Sequence, residues 1–444
     1  MQDPTIGSRA AFAATACFKA LAPVFFSALC ASAALGAETP LTLPEAQRLA
    51  VARSRQLVAQ DAALTAARAM AVSAGQLPDP VATIGVNNLP VNGPDAWSLT
   101  RDFMTMTSVG VMQEFTRTEK REARAQRYAR EADKALAEKD SRLASIQRDT
   151  ALAWLDRYYA EAMAAVVAEQ STQARVEIEA AETAYRAGRG NLADVVMARS
   201  ALVSLDDRAS EMGRRVSAAK IALARWIGSD AESPLAGRPA IDSIRLDSQT
   251  LDEDLQHHPQ IAVLARQEAV AAAEVKIAQA NKKPDWSVAL MYSQRGSAYS
   301  NLISLNVSVP LQWDQTNRQD REVAAKLAML DQVRAEREDM LRAHIAEVRA
   351  MIAEWGNDRE RSARYARELL PLAAGRTQAT LGAYRGAKAS ITDVLIARRS
   401  EIDLRLQALQ LEMDTARLWA QLNFLVPDGR RDTHVSINAR SDRR

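Results

Sequence analysis

The chain has 444 residues, and its 57 Lys and Arg against 55 Asp and Glu give a formal net charge of +2. This balance excludes a polybasic nucleic-acid binder and an acidic disordered tail. Aromatic residues make up only 5% of the chain, which has 17 Gly and 15 Pro and is rich in the helix formers Ala, Leu, Arg, Glu and Gln. The composition therefore predicts long helices rather than a Gly-rich all-β or low-complexity chain.

Residues 1–37 have the pattern of a secretory signal peptide. Arg9 and Lys19 precede an apolar run over 21–35, and small residues follow before Glu38. The alternative is a membrane anchor, but the run is shorter than the roughly 20 residues that a spanning helix needs. No later segment has a comparable run, so we predict no transmembrane helix in the mature chain.

Both cysteines, Cys17 and Cys30, lie within this leader. Its removal is predicted to leave a mature chain with no thiol, no disulfide and no cysteine metal site. Cys30 is also a candidate for a lipidated N-terminus. We disfavour that interpretation because Leu29, just before it, is bulky where such sites need a small residue.

The rest of the chain is predicted to be an internal duplication. Residues 184–199 match residues 383–398 after a shift of 199 positions. Two more pairs of blocks match in the same order, namely 77–80 with 283–286 and 108–115 with 304–311. The predicted segments are the signal peptide over 1–37, a first structural repeat over 38–240, a second over 241–426 and a flexible C-terminal tail over 427–444.

Each repeat is predicted to run in the order helix, two strands, very long helix, turn and long helix. Alternation of apolar and polar residues indicates the strands, as where Ile303, Leu305 and Val307 alternate with Ser304 and Asn306. The predicted strands cover 81–89, 106–116, 285–295 and 302–311, and the opening helices cover about 44–75 and 251–281.

The helix after the first strand pair has neither Pro nor Gly from about 119 to 186. At 1.5 Å per residue its predicted length is on the order of 100 Å. Small and apolar residues recur every seven positions in it, which predicts a coiled-coil seam with close helix packing. They are Ile146, Ala153, Ala160, Val167 and Ala174. Pro371 interrupts the second long helix and is expected to kink it.

The two matched turns carry the pattern of a capping box, so helix capping is the first role predicted for their aspartates. The pairs are Asn191 with Asp194 and Ser390 with Asp393. Gly188 suits the chain reversal in the first turn. In the second turn Ala387 replaces a glycine and Gly386 lies one position earlier, so we expect its geometry to differ.

The strands also bear on function. About nine to eleven tilted residues suffice to cross an outer membrane, although a surface hairpin of a soluble domain shows the same alternation. Exposed strand edges cannot exist in lipid, so a barrel has to close. Single-chain barrels begin at about eight strands, so four strands per chain require an oligomer. The helices would then form a tube that projects into the periplasm, and the assembly would be a conduit.

The chain resembles the TolC family of outer-membrane efflux proteins over about 44–426. The motifs that carry the resemblance lie at the helix turns (185–188, 194–196, 384, 393–395) and at the strand-to-helix passages (113–115, 120–121, 309–311, 317–318). The resemblance implies a mainly α fold with a small β part. In it, a homotrimer forms a 12-stranded outer-membrane β-barrel continuous with a long periplasmic 12-helix α-barrel.

The resemblance also implies a location and partners. The trimer would lie in the outer membrane of a Gram-negative bacterium, in contact with its lipid, with a large periplasmic extension. It would dock with a periplasmic adaptor (membrane-fusion) protein and an inner-membrane pump of the resistance-nodulation-division (RND) type. The implied adaptor contacts and periplasmic gate comprise Tyr185, Gly188, Asn191, Asp194, Tyr384, Gly386, Ser390 and Asp393. Asp393 matches a carboxylate of the gate ring, but the position three residues later is Ile396.

The segment 77–106 further resembles family members that accompany heavy-metal efflux pumps, through Leu-Pro-Asp-Pro at 77–80, Asn-Leu-Pro-Val-Asn-Gly-Pro at 88–94 and Phe-Met-Thr-Met at 103–106. It implies export of heavy-metal cations or other small toxic solutes. Thioethers bind copper and silver, which makes Met104, Met106 and Met112 weak candidates for metal contacts. Packing is the interpretation we favour, and we predict no resident metal or cofactor.

Other function classes fit less well. No Gly-rich phosphate loop, nucleophile elbow or paired HxxxH helix points to an enzyme. His257 and His258 have no matching cluster elsewhere and are not predicted to hold a metal. A pore-less periplasmic coiled-coil scaffold would share the helices but has no need for the strands. A channel for type I protein secretion or drug efflux stays open as an alternative to metal efflux.

Overall fold

A computed structural model describes residues 40–246 and 251–426, all within a unit of the chain that starts at Pro40. Its helices are α1 (Leu43–Arg53), α2 (Arg55–Ala74), α3 (Thr118–Arg186), α4 (Leu192–Ile227), α5 (Leu251–Gln256), α6 (Pro259–Asn281), α7 (Gln319–Arg364), α8 (Leu370–Arg385) and α9 (Ile391–Asn423). Its strands are β1 (Val81–Asn87), β2 (Met106–Phe115), β3 (Trp286–Gln294) and β4 (Leu302–Ser308). The predicted signal peptide with both cysteines, and the predicted tail over 427–444, lie outside the described residues.

The described elements follow one order twice, with two helices, two strands, one very long helix and one further helix in each pass. The second long helix is built from α7, a π-helical segment over Tyr365–Leu369, and α8. The chain is therefore mainly helical with one small sheet, as predicted. None of the helices in the described part combines the length and hydropathy that crossing a membrane requires.

The four strands form one antiparallel sheet in the order β1-β2-β3-β4. Register places apolar residues in rows across one face, for example Ile84, Val109, Tyr292 and Ile303. Most of this face is exposed to solvent, with Ile84 at 80% and Ile303 at 75%. Among the described strands, β1 and β4 each have one neighbour, so each leaves one edge unpaired.

The opposite face of the sheet carries mostly polar and small residues, with a few apolar ones such as Met106 and Met112. Ser108 stands between Gly85 and Ser293, and the two serine hydroxyls lie 3.0 Å apart. Asn87 donates a hydrogen bond to the Ser108 hydroxyl at 2.7 Å. The sheet is thus two-faced, and its apolar face is the one left without cover in a single chain.

The opening helix of each repeat is divided, which corrects the predicted single helices over 44–75 and 251–281. Ser54 leaves the helical conformation, with ψ of 111°, and its hydroxyl accepts the Leu57 N–H at 3.3 Å to start α2. In the second repeat the division falls at 257–258, before Pro259. A side-chain N-cap followed by good helix formers restarts a helix without a Gly or Pro marker, so the first break had no strong sequence signal.

Contrary to the prediction, Pro371 does not break the second long helix, and the distortion lies just before it. The five residues before α8, Tyr365–Leu369, form a π-helical turn. Proline lacks the N–H that would bond the carbonyl four residues earlier, and its ring crowds that carbonyl. One wider turn accommodates the ring without ending the helix, so the helical conformation continues from Gln319 to Arg385.

Four of the core clusters lie along α3, which packs against α1, α2, α4, α6 and α9. Two further clusters join α7 to α5, α6 and the end of α9. The predicted seam residues Ile146, Ala153, Ala160, Val167 and Ala174 are all buried. The largest cluster surrounds Trp154, whose indole N–H donates to the Leu41 carbonyl at 3.1 Å. The small alanine side chains therefore allow the helices to approach closely.

The sheet is joined to the helices by a buried ion pair at the start of α3. Lys120 Nζ lies 2.8 Å from Asp285 Oδ2, and both side chains are largely buried. The other carboxylate oxygen accepts the Arg117 backbone N–H at 2.9 Å. Burial acts to raise the pKa of Asp285, but the Lys120 hydrogen bond, the Arg117 N–H and nearby positive charges outweigh it and hold that pKa below its usual value.

Replacement of Asp285 by Asn tests this junction. Loss of the carboxylate leaves the Lys120 ammonium buried without its charge partner, which is expected to cost about 3 kcal/mol of local stability. Hydrogen exchange of the amides in the first turn of α3 measures that loss. Asp79, the repeat equivalent of Asp285, is exposed, so Asp79→Asn is the matched control and should change exchange by less than about 0.5 kcal/mol. Equal effects of the two substitutions would contradict this account.

Candidate functional site

The candidate site consists of the two helix turns at 187–191 and 386–390 together with the helix ends that flank them, here called tip 1 and tip 2. In tip 1 the amides of 187, 188 and 189 donate to the carbonyls of 183, 185 and 184 at 3.0, 3.0 and 2.9 Å. In tip 2 the amides of 386, 387 and 388 donate to the carbonyls of 382, 384 and 383 at 3.0, 3.0 and 2.8 Å. The two turns therefore share one backbone geometry.

This identity corrects the expectation that Ala387 would alter tip 2. Ala387 adopts φ of +56°, and its equivalent Gly188 adopts φ of +69°. Both lie in the left-handed region, where a side chain costs roughly 1–2 kcal/mol relative to glycine. The alanine is thus held in a strained conformation by the surrounding hydrogen bonds. Gly386, one residue earlier, has φ of −83° and supplies no left-handed turn.

Both predicted capping boxes are present. Asn191 Oδ1 accepts the Asp194 N–H at 2.8 Å, and the Asp194 carboxylate accepts the Asn191 N–H at 3.4 Å. In tip 2 the Ser390 hydroxyl accepts the Asp393 N–H at 3.2 Å. The Asp393 carboxylate accepts from the Ser390 N–H at 3.0 Å and from its hydroxyl at 2.7 Å.

Asp393 is exposed and carries a negative charge at neutral pH. The hydrogen bond from the Ser390 side chain, followed by the one from its backbone, holds the pKa of Asp393 below its usual value. The carboxylate is therefore an anchored charge at the start of α9. The carboxylate stays charged while it caps the helix, so a role for Asp393 as a charged gate residue is compatible with its role as a cap.

The remaining tip residues surround these caps. Tyr185, Gly188, Asn191, Gly386 and Ser390 are exposed, whereas Asp194 and Tyr384 are half-buried. A small apolar cluster below them joins α3 and α4 to α9 through Leu395. The structure thus brings the two predicted tips together at one end of the helices.

The two tips are tied by different ion pairs, which sequence analysis did not find. In tip 1, Arg199 pairs with Glu182 of the same helix hairpin at 2.7 Å. The repeat equivalent of Arg199 is Arg398, but the equivalent of Glu182 is Leu381. Arg398 therefore has no carboxylate there and pairs with Glu177 of α3 at 3.1 Å. The sequence held one signal for this difference, because Leu381 in place of a glutamate leaves Arg398 without the partner that Arg199 has.

The Arg398 pair is the most enclosed of the ion pairs that join α9 to α3. Its side chains are 14% and 8% exposed, against 30% and 55% for Arg405 with Glu169. Glu401 approaches Arg398 at 3.7 Å from the other side. Within the part of the chain that the structure describes, one oxygen each of Glu177 and Glu401 is buried and has no hydrogen-bond partner. A single guanidinium thus hydrogen-bonds the buried carboxylate of Glu177 and lies near the half-buried carboxylate of Glu401, which makes it the central link between tip 2 and α3.

The weak metal candidates are spread along β2 and the loop before it. Met104 lies in the loop between β1 and β2, and Met106 and Met112 lie six residues apart on β2, about 20 Å along the strand. Within 40–246 and 251–426, no group of three His, Cys, Asp or Glu side chains is placed to hold a metal. His257 contacts the Glu253 carbonyl, and His258 caps α6.

No protein-family model and no curated protein matches this chain. Solved structures do. The outer-membrane channel OprN shares 19% identity at a TM-score of 0.72, over 87% of this chain and 90% of OprN. The outer membrane protein VceC from Vibrio cholerae shares 19% at 0.69, over 86% and 95%. CusC, described as forming a transmembrane channel, shares 17% at 0.69, over 86% and 91%. The chain therefore has the fold of outer-membrane channels.

Substitution of Arg398 by Gln tests whether this link restrains tip 2. Removal of the guanidinium leaves the buried Glu177 and the half-buried Glu401 as uncompensated charges. Amide exchange over the first turns of α9 is expected to rise at least about tenfold. Arg199→Gln, at the equivalent but exposed position, should raise exchange by less than about threefold. Similar effects of both substitutions would show that Arg398 is an ordinary surface pair.

Proposed function

We propose that this protein is the outer-membrane exit duct of a tripartite efflux system and a member of the TolC family. The observation that supports this most strongly is one chain that joins a two-faced sheet with free edges to helices about 100 Å long. The likeness to outer-membrane channels over most of the chain supports the same proposal.

The sheet is proposed to be one third of a barrel. Its apolar rows are exposed in the single chain, as lipid-facing residues would be, and its other face is polar, as a water-filled lumen requires. Unpaired backbone groups on β1 and β4 cannot remain free in lipid. Pairing β4 of one copy with β1 of the next satisfies both edges, and a homotrimer closes a 12-stranded barrel above a 12-helix tube.

Aromatic residues at the helix-side end of the sheet fit this orientation. Phe115 and Trp286 are paired across β2 and β3 and stack with ring centroids 4.4 Å apart. Trp313 lies shortly after β4 and is 86% exposed. Rings of this kind favour the boundary between lipid and water. We infer that this boundary is the periplasmic one, because the long helices begin here.

The tips are proposed to meet the partners. They lie at the far ends of the long helices, where a periplasmic adaptor protein and the inner-membrane RND pump would connect. Exposed Tyr185, Gly188 and Asn191 in tip 1, and Gly386 with Ser390 in tip 2, supply accessible contacts. Asp393 would contribute one carboxylate from each copy to a charged ring at the gate.

The cargo is proposed to be heavy-metal cations or other small toxic solutes, on the resemblance carried by residues 77–106. Met106 and Met112 lie on the polar face of β2, which faces the lumen in the proposed barrel. Drug efflux and type I protein secretion are the competing cargo classes. A deletion strain exposed to copper, silver, zinc, cobalt, cadmium and a drug panel separates metal efflux from drug efflux by which sensitivity rises.

A pore-less periplasmic scaffold is the alternative from a different class. It accounts for the helices and their seams. It gives no reason for a sheet whose apolar face is exposed across four strands, because such a face is unfavourable in water. The membrane channel accounts for both parts of the chain.

Replacement of Leu305 by Arg tests the proposed lipid face. A cation on the lipid side of a barrel costs about 2–4 kcal/mol near the bilayer midplane. We expect less heat-resistant oligomer in the outer-membrane fraction, measured on semi-native gels. Asn306→Arg places the same cation on the opposite face of β4 and is the control, with near-normal yield expected. A normal yield of Leu305→Arg, or release of the wild-type chain as a soluble protein, would contradict the proposal.

Replacement of Asp393 by Asn tests the proposed gate ring. Asparagine keeps an acceptor for the Ser390 N–H but removes the negative charge, so the helix cap is largely retained. Divalent-cation block in single-channel recordings is expected to weaken by about tenfold, as charge leaves a narrow ring. Asp194→Asn serves as the comparison and should leave block nearly unchanged. If Asp393→Asn alters only stability, the residue is a cap alone.

A further inference from the structure

The second helix of each repeat starts with a side-chain cap, but the capping residues differ in chemistry. Ser54 caps α2 through its hydroxyl. His258 caps α6, where its Nδ1 accepts the Gln260 N–H at 3.3 Å. A hydroxyl does not titrate near neutral pH, whereas an imidazole does. Protonation of Nδ1 would remove the acceptor and with it the cap of α6.

His258 is also in contact with a second imidazole. Its ring centroid lies 4.2 Å from that of His344 in the middle of α7, with 49° between the ring planes. The two residues are 5% and 8% exposed. Because Nδ1 of His258 acts as an acceptor, the neutral ring carries its proton on Nε2. Nε2 of His344 is buried and has no hydrogen-bond partner among the described residues.

The pair lines a cavity of about 360 Å³ between α3, α6, α7 and the end of α9. The charged groups around it are Arg148 and Asp149 from α3, which pair with each other at 2.9 Å, and Glu347 from α7. Glu347 lies 3.5 Å from Nδ1 of His344. α6 and the end of α9 contribute no charged residue to the wall, only Gln260 and Gln421 among their polar side chains.

The surroundings of His258 leave no place for a second proton. That proton would occupy Nδ1, which faces the Gln260 N–H. A positive charge on the ring would also lie against the His344 imidazole, and Arg148 adds a further cation to the same wall.

We propose that His258 and His344 form an acid-sensitive contact, which holds the start of α6 against α7 at neutral pH and releases it in mild acid. The first repeat has no counterpart, because Ser54 caps α2 at every physiological pH. The device therefore acts on one repeat of the duplicated chain. It does not depend on the proposed channel function.

The direction of the pH dependence follows from linkage. Burial, then His344 and Arg148, lower the pKa of His258 to about 3, against 6.5 for the ordinary side chain. A group whose folded pKa is lowered binds fewer protons in the closed state than in the open one. The contribution to closure is thus fully present above about pH 6.5 and is lost as the pH falls below it.

Hydrogen exchange of the full-length protein in detergent at pH 7.5 and 5.5 tests the proposal. The equilibrium constant for opening of the first turn of α6 should rise about tenfold between these values. The first turn of α2, measured in the same sample, corrects for the effect of pH on exchange chemistry and should show no rise. An equal rise in both turns, or no rise in α6, overturns the proposal.

Two variants assign the effect to the histidines. His258→Ser gives α6 the cap that α2 already has and should abolish the rise. His344→Gln keeps His258 but removes the second imidazole, and it should reduce the rise severalfold. A full rise in His258→Ser contradicts the proposal. If that variant does not fold, a rise in His344→Gln as large as in the wild type contradicts it equally.

Discussion

The constraint that governs this structure is the set of backbone N–H and C=O groups on the edge strands β1 and β4 that have no partner within the described chain. Four antiparallel strands present an exposed apolar face and two edges whose N–H and C=O groups have no partner in the described chain. In water the apolar face is costly, and in lipid the edges are costly. In the proposed channel, closure with further copies would remove both costs together. Oligomerisation would then be the condition under which this sheet is stable in a membrane.

The helices are subject to a different constraint, because they have to pack closely over a great length. The seam of α3 is built from Ala, Ile and Val, so its neighbours approach closely without a thick core. The ion pair between Lys120 and Asp285 fixes the start of this helix to the sheet. At the other end the duplicated tips keep one backbone geometry, although Ala387 adopts it under strain.

Much of this was predictable because it is local. Period-two alternation located all four strands to within a few residues, and the capping boxes at Asn191 and Ser390 formed as predicted. The break at Ser54 was missed because a serine cap inside a run of helix formers resembles an ordinary helical serine. The repeat boundaries and the roles of the tip residues stay predictions, since neither the fold nor the likeness to other channels tests them.

The ion-pair and contact partners that join distant segments could not be predicted from the sequence. Arg199 and Arg398 occupy equivalent positions, yet one pairs within its hairpin and the other reaches Glu177. The difference depends on which helices lie side by side. The same holds for His258 and His344, which lie 86 positions apart in sequence and in contact in space. The two passes of the chain thus share one order of elements but differ in the side-chain contacts that link them.

We propose that this chain forms a continuous water-filled duct, and planar-bilayer recording of the purified full-length protein tests this most directly. Such a duct should give discrete, long-lived conductance steps from a species that sizes as three copies of the chain. A detergent-free, soluble protein that never inserts, or an inserted species that passes no current under any voltage, would contradict it.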